Sequence, residues 1–425
     1  MRTRGPTGTI LSVPAISVAA VRILHTSDWH LGRSFHREGL LDAQAAFVDS
    51  LLETVRAQAV DLVVVAGDVY DRAVPPVDAV HLANEALQRL AALRIPTVIT
   101  SGNHDSASRL GFAADLITAA GVHLRTDCAR LSEPVLLDDR FGPVAVYGLP
   151  YLEPESLTQR WQLDDRSHAA VTSAAMAMVR ADLAQRAAGT RSVVLAHSWV
   201  TGGTPSDSER DISVGGVCHV PVATFDDLDY VALGHLHGRQ QITPRVRYSG
   251  SPLAYSFSET DHVKGSWLVE LGNDGFERAD FVAAPIPRRL GRLRGRLDDL
   301  LTHSRYDDLE DRWLQVTLTD RQRPRAAMER LREGRFPHVL MLGFEPEGRD
   351  ATPLSSAPIV TGRSERDIVT DFVTAVREVP ADLDERALLE AACEGCRKPL
   401  DELMLEAQRA GAAAEIPGAP GRRAG

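Results

Sequence analysis

Apolar and polar positions follow two rhythms along the first third of the chain. Apolar-rich runs at 21–26, 61–66 and 96–101 read as buried strands. Between them, 39–58, 77–93 and 108–120 repeat apolar residues at helical spacing, and Pro75-Pro76 breaks the chain ahead of the second helix. Strand–helix alternation of this length predicts βαβ units and a sheet covered on both faces. From Pro134 the apolar runs crowd together, at 135–137, 144–148, 193–196, 230–234, 247–249, 266–271 and 276–282, around one long helix over 167–188. The predicted fold class is α/β: two sheets packed face to face as a sandwich, flanked by helices. Residues 199–217, rich in Gly, Ser and Asp, read as a mobile loop.

After Pro285-Ile286-Pro287 the character changes. Arg288, Arg289, Arg292, Arg294 and Arg296 follow with no acid among them, either a solvated linker or a contact to a DNA backbone. A strand at 313–319, a helix at 324–333 and a strand at 339–344 then predict a small α+β module. The expected division is 21–284 for the main domain, 285–345 for this capping module, 346–364 for a linker and 365–410 for C-terminal helices whose apolar stripes exceed what their own core needs. Residues 411–425 read as a disordered tail. Residues 1–20 read as a disordered extension or a miscalled start, because the first strand begins at once with Val21, a natural initiator position.

Composition narrows the classes. With 44% apolar and 25% charged residues, the 425-residue chain is an ordinary globular protein. A net charge of -11 excludes a globally basic nucleic-acid binder but leaves room for a local patch and bound cations. Lysine occurs only at Lys264 and Lys398. Four cysteines form no disulfide framework, which predicts a reducing, cytoplasmic setting, and Cys393 and Cys396 read as two helix-face cysteines. No run reaches the length of a membrane span.

Five short runs carry the candidate chemistry: Asp28-Trp29-His30, Gly67-Asp68 with Asp71-Arg72, Gly102-Asn103-His104-Asp105, His197, and Gly234-His235-Leu236-His237. Each follows or sits inside an apolar strand. Ligands in open α/β sheets bind beyond the carboxyl ends of strands, so these side chains can converge on one edge. Together they hold enough carboxylate, imidazole and amide groups for two adjacent divalent ions, a device of phosphate-ester cleaving enzymes. Mixed nitrogen and oxygen donors favour Mn2+, with Fe2+ or Zn2+ as alternatives. His104, followed by Asp105, reads either as the acid that protonates a leaving oxygen or as one more ligand. Asp71 and Arg72 either cap their loop or touch substrate.

These runs resemble the calcineurin-like metallophosphoesterases. Residues 24–32 (LHTSDWHLG), 101–106 (SGNHDS), 248–252 (YSGSP) and 256–259 (SFSE) are similar, more closely, to the SbcD-type nuclease subunits within that family. The resemblance is strong over 21–283 and weaker beyond. It implies that Asp28, His30, Asp68 and His237 hold one ion, and that Asp68, Asn103, His197 and His235 hold the second. It implies His104 as catalytic acid oriented by Asp105; the candidate substrate contacts are Arg33, Asp71, Arg72, Arg288 and Arg289. The implied activity is Mn2+-dependent 3′→5′ exonuclease on duplex ends and endonuclease on single strands and hairpins. The implied assembly is a homodimer, through helices near 76–93 and 108–120, within a heterotetramer with an SbcC-type ATPase in the nucleoid. The competing reading is a phosphatase or small-molecule phosphodiesterase on the same core; the residues after Ala283 distinguish the two.

Overall fold

Strand residues divide by parity between three cores, and that division builds the molecule. The structure, a computed structural model, describes residues 20–213, 219–347, 363–377 and 379–397. The expected extension before residue 20, most of the expected linker, the tail from 411 and the Cys396 side chain lie outside the described residues.

One six-stranded sheet runs Gly275–Ala283, Gly265–Gly272, Val21–Thr26, Leu62–Ala66, Thr97–Thr100, Val122–Arg125, with its last four strands parallel. The second runs Gln240–Gln241, Val246–Tyr248, Tyr230–Gly234, Arg191–His197, Gly142–Leu149, Val135–Asp139, parallel through its four central strands. Successive side chains of a strand face opposite ways. Ile23, Leu62, Val64 and Val98 therefore meet Val146, Val193, Leu195 and Ala232 in a core between the sheets. Leu24, Val63, Val65 and Ile99 turn outward onto the helices Leu41–Ala57 and Val77–Leu93. On the other side, Val194, Val231 and Leu233 pack beneath the helix His168–Leu183. The predicted two-sheet sandwich flanked by helices is the observed one.

Several elements differ from expectation. The helix expected over 108–120 is two short helices, Ala107–Leu110 and Ala114–Thr118, because Gly111 packs against Thr126 and Ala113 turns left-handed (φ 58). The helix expected over 167–188 starts where the Ser167 side chain caps the N–H of Ala170 and ends at Leu183. The arginine run is no linker: it enters a strand, Leu290–Gly295, at the edge of a three-stranded sheet with Trp313–Leu318 and Val339–Phe344. Leu293 points inward, so alternation turns its neighbours Arg292 and Arg294 outward.

Residues 20–294, 298–317 and 327–343 form one compact unit. Residues 295–297, 318–326 and the described residues from 344 form another, which contains the helices Glu365–Arg377 and Leu383–Arg397. Phe372, Leu383 and Leu388 of these helices are exposed.

Candidate metal centre

The carboxyl ends of five parallel strands open onto one edge of the sandwich. Thr26 leads to Asp28 and His30, Ala66 to Asp68, and Thr100 to Asn103 in one sheet. His197 ends its strand, and Gly234 leads to His235 and His237, in the other. The fold thus draws the ligand candidates from both sheets to a single place. Four of them, Asp28 (φ 53), His30 (φ 45), Asp68 (φ 49) and His235 (φ 102), take left-handed backbone that ordinary side chains avoid. Strained backbone concentrated in this way marks a site whose geometry the surroundings enforce. Gly67 (φ +83) makes the approach possible, since a Cβ there would lie 2.3 Å from Nδ1 of His197.

The donor atoms form one continuous buried cluster. Nε2 of His30 lies 3.0 Å from Nε2 of His237 and 3.6 Å from Oδ2 of Asp68. That Asp68 oxygen lies 3.4 Å from Nε2 of His197, which is 2.9 Å from Oδ1 of Asn103. Nδ1 of His235 is 3.2 Å from the same Asn103 oxygen, and the His235 N–H donates to Asp28 Oδ1 at 3.0 Å. Asp68 sits between the two halves, where a shared ligand belongs. Asp28/His30/His237 and Asp28/Asp68/His197 each gather donor atoms within one cation's reach, as do His30/Asp68/His104.

The electrostatics fit cations. Burial raises Asp68, but His197 and His30 outweigh it and hold its carboxyl well below the usual carboxylate range. Burial lowers His197, yet Asp68 and Asp28 push it up to about 9. Positive charge is therefore favoured beside Asp68. Burial pushes Asp28 up to about 6 and drives His30 and His235 well below the usual histidine value. These two rings are thus neutral, as a ligating imidazole must be. His30 Nδ1 and His235 Nε2, two ring nitrogens of the candidate ligands, are buried with no hydrogen-bond partner. Unpaired buried polar atoms cost about 1–3 kcal/mol each and belong to sites completed by something else. Divalent ions suit this set.

His104 stands at the rim. Its backbone N–H donates to Asp68 Oδ1 at 2.8 Å, and its ring meets His30 edge-on at 4.7 Å. Nδ1 lies 2.8 Å from the Asp71 carbonyl, which can only accept, so Nδ1 carries a proton and Nε2 remains for exchange. The expectation that Asp105 orients this ring is corrected. The Asp105 carboxylate accepts instead from the backbone N–H groups of Val69, Tyr70 and Gly102, at 3.0, 2.9 and 3.0 Å. Three donors on one acidic side chain lock the 67–71 loop to the 102–105 loop. Burial, with Asp68 nearby, nonetheless pushes Asp105 up to about 7.

The substrate candidates divide. Arg33 lies beside the centre, with Nη2 donating to the Ser208 carbonyl at 3.0 Å and Nε 3.7 Å from Asp71. Arg72 is exposed next to Asp71. Arg288 and Arg289 are not with the ligands: they line a separate groove of about 360 Å³ with Trp313, Leu253 and the buried pair Glu259 and Lys264.

Sequence reasoning missed several residues. Gln44, on the core-facing side of its helix, accepts from Gly32 N–H and donates to the His30 carbonyl at 2.8 Å. Tyr255 donates to the Trp29 carbonyl at 2.6 Å. A polar side chain amid Ala43, Phe47 and Val48 was the available signal for Gln44. Of the stretch 199–217 expected as a mobile loop, residues 214–217 lie outside the described residues, and the part before them is tied down: Glu209 accepts from His237 N–H at 2.7 Å, Ser208 reaches His237 Nδ1, and Arg210 reaches the Asn103 carbonyl.

Metal-dependent phosphoester hydrolysis is the chemistry that this sandwich and this donor set share. The lineage is equally plain. The chain belongs to the calcineurin-like phosphoesterase family, whose sequence model matches residues 21–239 and so spans every proposed ligand. Solved structures it is similar to include TT1561 of Thermus thermophilus (12% identity, 62% of this chain and 99% of that one, TM-score 0.36). A dimetal phosphatase from Danio rerio matches at 13% identity over 63% of this chain and 100% of its own, TM-score 0.35. GAP50, the anchor in the inner membrane complex of Plasmodium, matches at 13% over 63% and 85%, TM-score 0.36.

Proposed function

We propose that the chain is a DNA nuclease of the SbcD type, acting in repair, recombination and replication. In this reading it uses two divalent ions, Mn2+ favoured, to cut duplex ends 3′→5′ and to open single strands and hairpins. It works as a homodimer with an SbcC-type ATPase in the cytoplasm, at the nucleoid. The observation that carries the step from phosphoester to DNA is the strand Leu290–Gly295. It offers Arg292 and Arg294 on one outward face, with Arg288 and Arg289 just before it. A hydrolase of small phosphoesters has no use for such a face, whereas phosphate-backbone binding is built from it. Exposed Phe112 and Leu116 support a contact between copies, and exposed Phe372, Leu383 and Leu388 support a protein partner. Among the described residues no helix is long and apolar enough to cross a membrane.

The residues divide the work. Bound ions would supply Lewis-acid polarisation of the phosphate and a more acidic water. Asp68, His197 and Asn103 fix the floor of the site, and Gln44 and Tyr255 fix the loop that presents Asp28 and His30. His104, held at Nδ1 by the Asp71 carbonyl, takes a proton from solvent at Nε2 and, as the imidazolium, hands that proton to the departing oxygen. Arg33 and Arg210 place positive charge at the mouth, toward the strand's phosphates. The test is hydrolysis in Mn2+ of hairpin DNA, duplex DNA and a small phosphodiester, with and without the ATPase. Cleavage of the DNA substrates is expected; a protein that cleaves only the small diester sinks the nuclease reading.

A further inference from the structure

His237 differs from the other ligand candidates in how its ring is held. Nδ1 of His197 and of His104 each meet a backbone carbonyl. Nδ1 of His237 meets a hydroxyl, Ser208 Oγ, at 2.5 Å. A hydroxyl can donate or accept, so alone it fixes no tautomer. Of its two other contacts, Ser206 Oγ at 3.0 Å gives its own proton to Glu209 Oε2, and the closer one decides. Ser208 Oγ lies 2.5 Å from Oε1 of Glu259, and a carboxylate can only accept. Ser208 has one proton and donates it to Glu259. Ser208 must then accept from His237, so Nδ1 carries the ring's proton. The lone pair falls on Nε2, the atom 3.0 Å from His30 Nε2 in the cluster.

The carboxylate is itself held as an anion. Lys264 pairs with Oε2 of Glu259 and also donates to the His237 carbonyl at 2.8 Å and to Ser251 Oγ at 3.0 Å. Tyr255 N–H adds a contact to Oε2 at 3.3 Å. Glu259 is 1% exposed and Lys264 3%, so neither exchanges its partner for water. Apart from Lys398, every other basic side chain of the Lys/Arg type in the chain is arginine. A compact ammonium with three donors suits three acceptors converging on one point, which a planar guanidinium does not.

We propose that Lys264, Glu259 and Ser208 form a positioning relay that sets the tautomer and orientation of His237 and so tunes one of the two ion positions. The inference rests on the metal-centre reading of the site. It extends the carboxylate–histidine arrangement found around metals by one inserted hydroxyl. That hydroxyl ties the ion position to the segment after Trp199. Ser208 and Glu209 both belong to it, and Glu209 holds the His237 N–H from the same side. Arg33 holds the Ser208 carbonyl at 3.0 Å. The quality of one ion position thus depends on how that segment is seated, because it holds a ligand's own ring, whereas the segment meets the other position only through Arg210 on the backbone carbonyl of Asn103 and leaves the His197 ring to the Ala66 carbonyl.

Stepwise Mn2+ binding to the full chain, followed by calorimetry, tests this, alongside the melting temperature of the chelated protein. Ser208→Ala is expected to weaken one of two ions by about tenfold or more while the other stays within about threefold and the chelated protein melts as wild type does; tenfold or more is the usual effect of losing such an outer partner. Ser208→Thr, which keeps the hydroxyl, is expected to restore the first ion. Because Glu259→Gln alone would strand a buried ammonium, the second variant is Glu259→Gln with Lys264→Met. An amide at 259 can donate as well as accept, so the tautomer is released and the same ion is expected to weaken. Two ions bound by Ser208→Ala with wild-type affinities would overturn the relay alone. Equal weakening of both ions with a lowered melting temperature would also overturn it, as a purely structural role. Fewer than two ions in the wild type would overturn the relay together with the metal-centre reading.

Discussion

Asp28, His30, Asp68 and His235 all sit in left-handed backbone although none is glycine. Packing does not require that, but convergence of donors from two sheets does. His104 is the separable member, since its ring is held by a carbonyl and its other nitrogen is left for proton exchange. His104→Ala is expected to keep both ions and lose about 100-fold or more in cleavage rate, the usual size of a proton-transfer contribution. Loss of an ion in that variant, read by bound-metal analysis, would make it a ligand instead.

His25 gives a residue-scale prediction away from the ligands. It is buried between the sheets, accepting at Nδ1 from Tyr230 O–H (2.9 Å) and donating from Nε2 to the Leu233 carbonyl (3.1 Å). Burial pushes it down to about 3. The folded form therefore binds fewer protons than the unfolded form below pH about 6.5, so this stabilisation is complete above that pH and lost progressively toward pH 3. Between pH 6.5 and 4.5 the loss is roughly 2–3 kcal/mol. Denaturant midpoints of the chelated protein should fall over that window, and His25→Leu should flatten the slope while lowering the stability at pH 7.5. An unchanged slope would contradict the assignment.

At the scale of elements, legibility followed burial. The strands at 62–66, 97–100 and 193–197 were plain because parallel strands covered on both faces are continuous apolar runs. The break between Ala107–Leu110 and Ala114–Thr118 was not, since it depends on Gly111 meeting Thr126, a residue from beyond the helix pair. Arginines at 292 and 294 looked like a linker because their alternating partners, Gly291, Leu293 and Gly295, include two glycines that hide the strand rhythm. Charge reversal of Arg292 and Arg294 should weaken DNA binding and reduce the slope of log affinity against log salt by about 0.9 for each phosphate no longer neutralised. An unchanged slope would return the strand to a purely structural role. Ser167→Ala, which removes the cap on Ala170 N–H, is expected to cost about 1 kcal/mol, read as a melting temperature lower by a few degrees.

For the whole molecule, the gathering of these candidate ligands was legible because each member follows or ends a strand, and strand order brings strand ends together. What surrounds it was not. Ser208, His237 and the Glu259–Lys264 stretch lie on three separate segments with ordinary local composition, and only the closed fold makes them neighbours. The same holds for Asp105, whose role joins two loops rather than orienting its sequence neighbour. Ions bound by groups from both sheets should stabilise the folded form as a whole, by about 2.7 kcal/mol at one hundred times the dissociation constant. Chelation should therefore lower the melting temperature, and Mn2+ should restore it.

In the proposed reading the metal centre is a pair of ion positions that share Asp68. Counting bound Mn2+ per chain by paramagnetic resonance titration, in wild type and in Asp68→Asn, tests it most directly. Two ions are expected in the wild type and one or none in Asp68→Asn. A single ion in the wild type, or two retained in Asp68→Asn, would contradict it.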